Sequence, residues 1–301
     1  MNGIPARVLV SGSSGLIGSA LVPSLTASGY QVTRLVRSGP SGEDRLVLDP
    51  AKPLLPDSLS GFDAVVHLAG EPIVGRWTAE KKRRIVDSRV LPTRHLAEAL
   101  AKASRPPRVL ICASAIGYYG DRGGEVLREE SAPGRHFSSE LCLQWEGAVQ
   151  PATDAGIRTA NLRSGIVLSA AGGALKKMLP PFRLGIGGNI GNGRQWMSWI
   201  DLQDVMAAIL HILRTDSLHG PVNMTSPHPV TNAEFTRTLA SVLSRPAVFP
   251  MPAVVARLVF GQMADELLLA SQRVEPAKLL ASGYVFQQPD LRQSLTAILR
   301  K

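Results

Sequence analysis

At 301 residues, 45% of them hydrophobic and 19% charged, the chain can bury a sizeable core, which excludes a disordered or fibrous protein. Its two cysteines, Cys112 and Cys142, exclude a disulfide-stapled secreted scaffold; neither has metal-ligand spacing with a partner, so both read as buried thiols and no metal site is expected. A net charge of +9 admits an anionic partner, from a phosphorylated cofactor to nucleic acid, while the lack of a membrane-length apolar run or a signal peptide predicts a cytoplasmic protein with no membrane partner.

Taken in order, residues 7–10 are a short apolar run, rich in β-branched side chains, that reads as a buried parallel strand. Ser11-Gly12-Ser13-Ser14-Gly15-Leu16-Ile17-Gly18 follows directly. Ala20, Leu21, Leu25 and Ala27 then continue at helical spacing until Gly29. Residues 31–36 read as a second strand, 45–48 as a short third and 63–68 as a fourth that ends in Ala69-Gly70. A long helix is predicted over 79–103, capped by Thr78, with a kink or break at Pro92. Its run Lys81-Lys82-Arg83-Arg84 reads as a solvated face; without interleaved aromatics, nucleic-acid binding trails the other readings. Residues 108–112 and 158–162 are the fifth and sixth strands. Beyond Leu168, Gly172-Gly173, Pro180-Pro181 and the glycines of 185–191 read as a substrate-side loop or lid. Residues 201–213 form an apolar-striped helix with Asp201 and Asp204 at its start, 221–224 another strand, and Thr231 with Glu234 a capping box. From about Pro250 the pattern is mainly helical. The expected class is α/β: a Rossmann-type, doubly wound parallel sheet over 1–168, completed by 199–225. A smaller mixed, mainly helical substrate-side domain is expected from 169–198 and 226–301.

The triplet Gly12-x-x-Gly15-x-x-Gly18 lies between a strand and a helix. There the first glycine permits the tight turn, the second admits the pyrophosphate and the third lets helix and strand pack closely. The helix N-terminus supplies N–H donors and partial positive charge. The dinucleotide set is therefore Gly12, Ser14, Gly15, Leu16, Ile17 and Gly18. Cofactor choice falls to Thr33-Arg34-Leu35-Val36-Arg37-Ser38, which carries no acid for the ribose hydroxyls. Arg37 and Ser38, with Arg34, are placed for a 2′-phosphate, which predicts NADP; the rival is a set of surface arginines beside an undiscriminating pocket. Asp49 has two readings, acceptor for the adenine amino group or turn residue in Asp49-Pro50.

With these residues in place, the chain resembles the extended short-chain dehydrogenase/reductase superfamily. The glycine triplet, His67-Leu68-Ala69-Gly70 and Tyr119-Gly120 after the fifth strand carry the resemblance. A narrower likeness is to a subfamily of nucleoside-diphosphate-sugar epimerase-like proteins ending in a small domain of unknown function. It rests on Gly75-Arg76-Trp77-Thr78, Ser88-Arg89-Val90, Ser114-Ala115-Ile116-Gly117-Tyr118-Tyr119-Gly120, Gln144-Trp145-Glu146, Trp199-Ile200-Asp201 and Ser271-Gln272-Arg273-Val274-x-Pro276-x-Lys278-Leu279. The resemblance implies that Leu68, Ala69, Gly70 and Arg163 join the cofactor set.

It also implies an Asn, a Ser or Thr, and a Tyr-x-x-x-Lys pair, but the chain has no Tyr-x-x-x-Lys. Anchored on Glu146, the pattern puts Ser138 in the Tyr place, Cys142 in the Lys place, Arg89 near the Asn place, and Ser114 (or Ala115) in the Ser/Thr place. A serine hydroxyl is a far poorer acid than a phenol. The catalytic candidates are Ser114, Tyr118 and Arg89, with packing as the rival role for Tyr118. The substrate candidates are Glu71, Tyr119 and Arg194. His67 reads as a buried, hydrogen-bonded residue. The expected function is an NADP-dependent oxidoreductase or epimerase-like enzyme acting on a small, sugar-nucleotide-like molecule; a homodimer is compatible with it. The alternative is an NADP(H)-binding redox sensor or regulatory protein without turnover.

Overall fold

The computed structural model describes residues 7–42, 44–49 and 51–300. Seven strands form one parallel sheet: β1 (Arg7–Ser11), β2 (Gln31–Val36), β3 (Arg45–Val47), β4 (Ala64–His67), β5 (Val109–Ala115), then, after the two-residue β6 (Val126–Leu127) outside this sheet, β7 (Arg158–Ser164) and, further on, β11 (Gly220–Met224). Their spatial order is β11-β7-β5-β4-β1-β2-β3. The chain winds outward from β1 through β2 to β3, then returns to the other side of β1 at β4. The crevice past the carboxyl ends of β1 and β4 is thus the switch point where such sheets bind ligands.

Burial explains why these runs read as strands. Val8, Leu9, Val10, Val65, Val66, Leu110 and Ile111 are fully buried, so both faces of the sheet are covered. Val8, Val10, Val66 and Ile111 pack with helices α1 (Leu16–Ala27) and α7 (Leu202–Arg214). Leu9, Val65 and Leu110 face the other way, against α3 (Val90–Ala101) and α4 (Phe137–Gly147). The strict alternation is what a doubly wound sheet requires.

Two features refine the sequence reading. The long helix is two, α2 (Ala79–Asp87) and α3, parted at Ser88-Arg89. Pro92 sits in the first turn of α3, where its missing N–H has no intrahelical partner to lose, so the break falls ahead of it. Residues 173–183 are not a loop but a helix, α6 (Gly173–Arg183), with Pro180 and Pro181 inside it. Leu175, Leu179 and Phe182 recur at helical spacing and bury themselves in a second apolar core with Leu168, Trp199, Phe235 and Leu239. That burial outweighs the prolines.

The C-terminal region packs against the sheet. Within it lie α8 (Asn232–Leu243), α9 (Ala253–Phe260), β13 (Arg273–Val274), α10 (Ala277–Ala281) and α11 (Leu291–Leu299). Strand β13 pairs with β6, and Leu279, Tyr284 and Phe286 enter the core beneath the main sheet. Asp204, fully buried, accepts from the Tyr284 hydroxyl at 2.9 Å and from the amides of Gln287 and Gln288. The helix-start carboxylate therefore also fastens the tail. Among the described residues no helix is long and apolar enough to cross a membrane, and no group of three or more His, Cys, Asp or Glu could hold a metal.

Candidate active site

The glycine turn leads from β1 into α1. Gly12 has φ +67°, and a Cβ there would lie 2.7 Å from the Leu68 carbonyl carbon, so only glycine lets the β1 and β4 turns meet. A Cβ on Gly18 would overlap the carbonyl oxygen of Gly12. Gly15 is the N-cap of α1 in extended conformation, and no side chain caps that end. Ser14 and Gly15 are exposed, and Leu16 packs against Gly172-Gly173, where a Cβ would come within 3.0–3.2 Å of its methyls. A bare helix N-terminus in a glycine-cleared cradle fits a pyrophosphate.

At the end of β2, Arg34, Arg37 and Ser38 are exposed, and none of their side chains has a hydrogen-bond or ion-pair partner among the described residues. Arg45 on β3 is the register partner of Arg34, and its guanidinium comes to 3.4 Å of the Cβ position of Gly39. This third guanidinium went unseen in the sequence because only the β2–β3 register places it. The Oδ1 of Asp49 accepts from the amide of Ala51 at 3.1 Å, which is the turn role of its two readings; Pro50 lies outside the described residues.

The β4 end is held from below. His67 is fully buried, with its Nδ1 2.6 Å from the Ser11 hydroxyl. Ser11 Oγ also accepts from the amide of Leu68, which ties the two strand ends together. The imidazole Nε2 has no partner among the described residues, and burial pulls the pKa of His67 down to about 4. The imidazole is a neutral strut. Under Gly70 lies the buried guanidinium of Arg89, donating to the carbonyls of Glu71 (2.8 Å) and Ile85 (3.2 Å) and stacked 5.1 Å from the Trp145 ring. Arg89 thereby fixes the Leu68-Ala69-Gly70 turn. Glu71 is tied to α2 by Lys81 at 2.7 Å and Arg84 at 3.2 Å; the Lys81 hydrogen bond holds its carboxyl below the usual range, so it remains an ion-pair partner.

Beyond β5 the chain builds a charged network. Ser114 donates to Glu146 Oε1 at 2.7 Å, and Arg163 clasps both oxygens of Glu146 at 2.8 Å. Arg163 also donates to the Tyr119 hydroxyl and the Glu129 carbonyl. Its nitrogens are thus all engaged inside the protein, which corrects its assignment to the cofactor. Tyr119 is fully buried, donates to Asn223 Oδ1 at 2.6 Å, and is pushed up to about 12 by burial. It is a structural residue, which corrects its assignment to the substrate. Tyr118 is half-buried, its ring 3.4 Å from the Arg163 guanidinium carbon, and its hydroxyl has no partner among the described residues. The cation beside Tyr118 is Arg163.

Helix α4 carries Ser138 and Cys142 to the same region. Burial pushes the Cys142 thiol up to about 12, so it stays neutral and supplies none of the charge of a lysine. Ser138 is 3% exposed, its amide donates to Glu266 Oε2 at 2.8 Å, and its hydroxyl has no partner. Glu266 comes from a π-turn, residues Ala264–Leu268. A cavity of about 480 Å³ lies between these elements, lined by Asp121, His136 and Ser138 on one side and Arg257, Gln262 and Glu266 on the other. No periodic signal pointed to Glu266, since a π-turn has neither helical nor strand spacing. Arg194 is exposed, its side chain without a partner among the described residues, and it is not part of this lining.

Residues 8–224 match the family described as NAD dependent epimerase/dehydratase, and residues 251–298 match a domain of unknown function. The chain belongs to the NAD-dependent epimerase/dehydratase family. Within that family it is 42% identical over 292 residues to an epimerase family protein of Mycobacterium bovis, covering 96% of each chain. It is 38% identical over 298 residues to the human epimerase family protein SDR39U1, covering 97% of this chain and 99% of the other. A crystal structure of the human protein with NADPH superposes with a TM-score of 0.90 at 37% identity, covering 98% of this chain and 99% of that one. Family membership makes the missing Tyr-x-x-x-Lys pair a property of this chain's site rather than a sign of another fold.

Proposed function

We propose that this protein is an NADP-dependent enzyme of oxidoreductase or epimerase type acting on a small molecule held between the sheet and the C-terminal segment. The observation that carries the cofactor assignment is the acid-free end of β2, where Arg34, Arg37 and Ser38 lie exposed, their side chains unpartnered among the described residues, beside the glycine cradle. The human relative crystallised with NADPH supports it. The amides opening α1, with Ser14, Gly15, Leu16 and Ile17, would hold the pyrophosphate; Leu68, Ala69 and Gly70 would flank the adjoining ribose. When bound, the nicotinamide supplies the hydride acceptor or donor. Tyr118 holds or releases the proton, since its hydroxyl is free while that of Ser114 is bound to Glu146. Arg89 positions the cofactor turn.

The test is a tryptophan-fluorescence titration. NADPH should bind at least about tenfold more tightly than NADH, roughly 1.4 kcal/mol, and Arg37→Asp should erase or reverse the preference. Equal affinities in the wild type would sink the NADP assignment. A second reading, a cofactor-binding sensor without turnover, is favoured by the neutral Cys142 thiol, which leaves α4 without the cation of a Tyr-Lys pair. Incubating protein and NADPH with carbonyl compounds separates the two: oxidation of NADPH supports the enzyme, and tight binding with no turnover the sensor.

A further inference from the structure

The cavity beside Ser138 has a charge that its family's sugar-nucleotide chemistry does not suit. Its walls include three carboxylates, Asp121, Asp265 and Glu266, against one guanidinium, Arg257. That leaves a formal excess of two negative charges, to which His136 adds at most one positive. Arg257 is already engaged by Asp265 at 2.7 Å. Glu266 is 6% exposed and accepts one hydrogen bond on each oxygen, from the Ser138 amide and from Gln262 Nε2, while Asp121 Oδ1 accepts from the amides of Gly123 and Ser271. Carboxylate oxygens have further lone pairs, so the walls keep accepting capacity for a ligand. An independent observation points to a ligand: Ser138, a residue only 3% exposed, lines the cavity, and its hydroxyl has no hydrogen-bond partner among the described residues, which leaves it open to a bound molecule.

We propose that this cavity is the substrate subsite and that it takes an uncharged or cationic molecule rich in hydroxyl or ammonium donors, about the size of a monosaccharide, and not a nucleoside diphosphate ester. At 480 Å³ it has room for such a molecule. A diphosphate would bring like charge against Asp121 and Glu266, in a lining whose one guanidinium, Arg257, is already paired with Asp265. Hydroxyl and ammonium groups would meet acceptors on the Glu266 side and the Ser138 hydroxyl opposite. The subsite rests on the enzyme reading above for its role in a reaction, but not for its ligand chemistry.

The experiment is calorimetric titration of the full chain with glucosamine, methyl glucoside and UDP-glucose, each with and without NADPH. Glucosamine should bind with millimolar affinity or better, methyl glucoside more weakly, and UDP-glucose at least tenfold more weakly than glucosamine in the cofactor-free protein. Glu266→Gln should weaken glucosamine at least tenfold. Because Glu266 also receives the α4 amide, Asp265→Lys is the second variant: its side chain is half-exposed, and it should cost glucosamine affinity and raise UDP-glucose affinity. UDP-glucose binding the wild type as tightly as glucosamine would overturn the proposal, as would no glucosamine binding up to about 10 mM. So would glucosamine affinity that neither variant changes. Failure of NADPH to bind while glucosamine behaves as expected would instead overturn the cofactor reading and leave the subsite standing.

Discussion

His67 and Tyr118 show how single side chains divide between holding the site and acting in it. Burial pulls the His67 pKa from its ordinary value of 6.5 down to about 4. A base whose folded pKa is depressed leaves the unfolded chain binding the proton between those values, so its contribution is intact above pH 6.5 and is lost as pH falls toward 4. Between pH 7.5 and 5 this amounts to about 2 kcal/mol. Urea unfolding of wild type and His67→Asn at the two pH values should show the variant losing less stability on acidification by about that amount; equal losses would remove His67 from the acid limb. Tyr118→Phe is the complementary case. With a substrate in hand it should cut kcat by roughly 10²-fold or more, the usual worth of a positioned acid/base, with NADPH affinity unchanged. Full activity in the variant would place the proton elsewhere. The sequence singled out His67, Tyr118 and Arg89 by their closeness to strand ends. It misassigned Arg163 and Tyr119 because their partners, Glu146 and Asn223, lie 17 and 104 residues away in the chain, where only the fold brings them together.

Among the elements, the strand–turn–helix of β1 and α1 was fully legible, because its glycines answer local backbone demands. The three glycines are not equal as tests. At Gly12 and Gly18 a side chain would strike backbone, so substitution attacks the fold itself. At Gly15 the added Cβ would meet only the Gly12 carbonyl oxygen at 3.3 Å, and the extended backbone suits any residue. Gly15→Val should therefore stay folded by circular dichroism while losing NADPH binding by at least about 100-fold, roughly 2.7 kcal/mol, because its methyls occupy the pyrophosphate space. Retained affinity would move the nucleotide away from α1. Helix α6 was illegible for the opposite reason. Its glycines and prolines are strong local signals for a loop, and the force that overrides them, burial of Leu175, Leu179 and Phe182 against Phe235 and Leu239, comes from residues more than 50 positions away.

At the scale of the whole molecule, the alternation of strands and helices exposed the parallel sheet, but nothing local announced that the tail returns to it. Leu279, Tyr284 and Phe286 complete the core that begins with Val8 and Leu21, and β13 pairs with β6 across the same seam. The chain should consequently unfold as one unit despite its several apolar clusters. Far-UV circular dichroism and tryptophan fluorescence, which samples Trp77, Trp145, Trp196 and Trp199 in different parts of the molecule, should give coincident urea transitions. Asp204 is the residue on which this coupling can be tested. Asp204→Ala takes the carboxylate from the part-buried amides of Gln287 and Gln288 and leaves the Tyr284 hydroxyl only the backbone carbonyl of residue 204 as acceptor. It should cost about 3 kcal/mol or more and separate the two probes, as the tail loosens before the sheet melts. Two resolved transitions in the wild type, or a variant with wild-type stability, would show that the tail is an appendage and that the cavity roofed by Glu266 is held by its own segment alone.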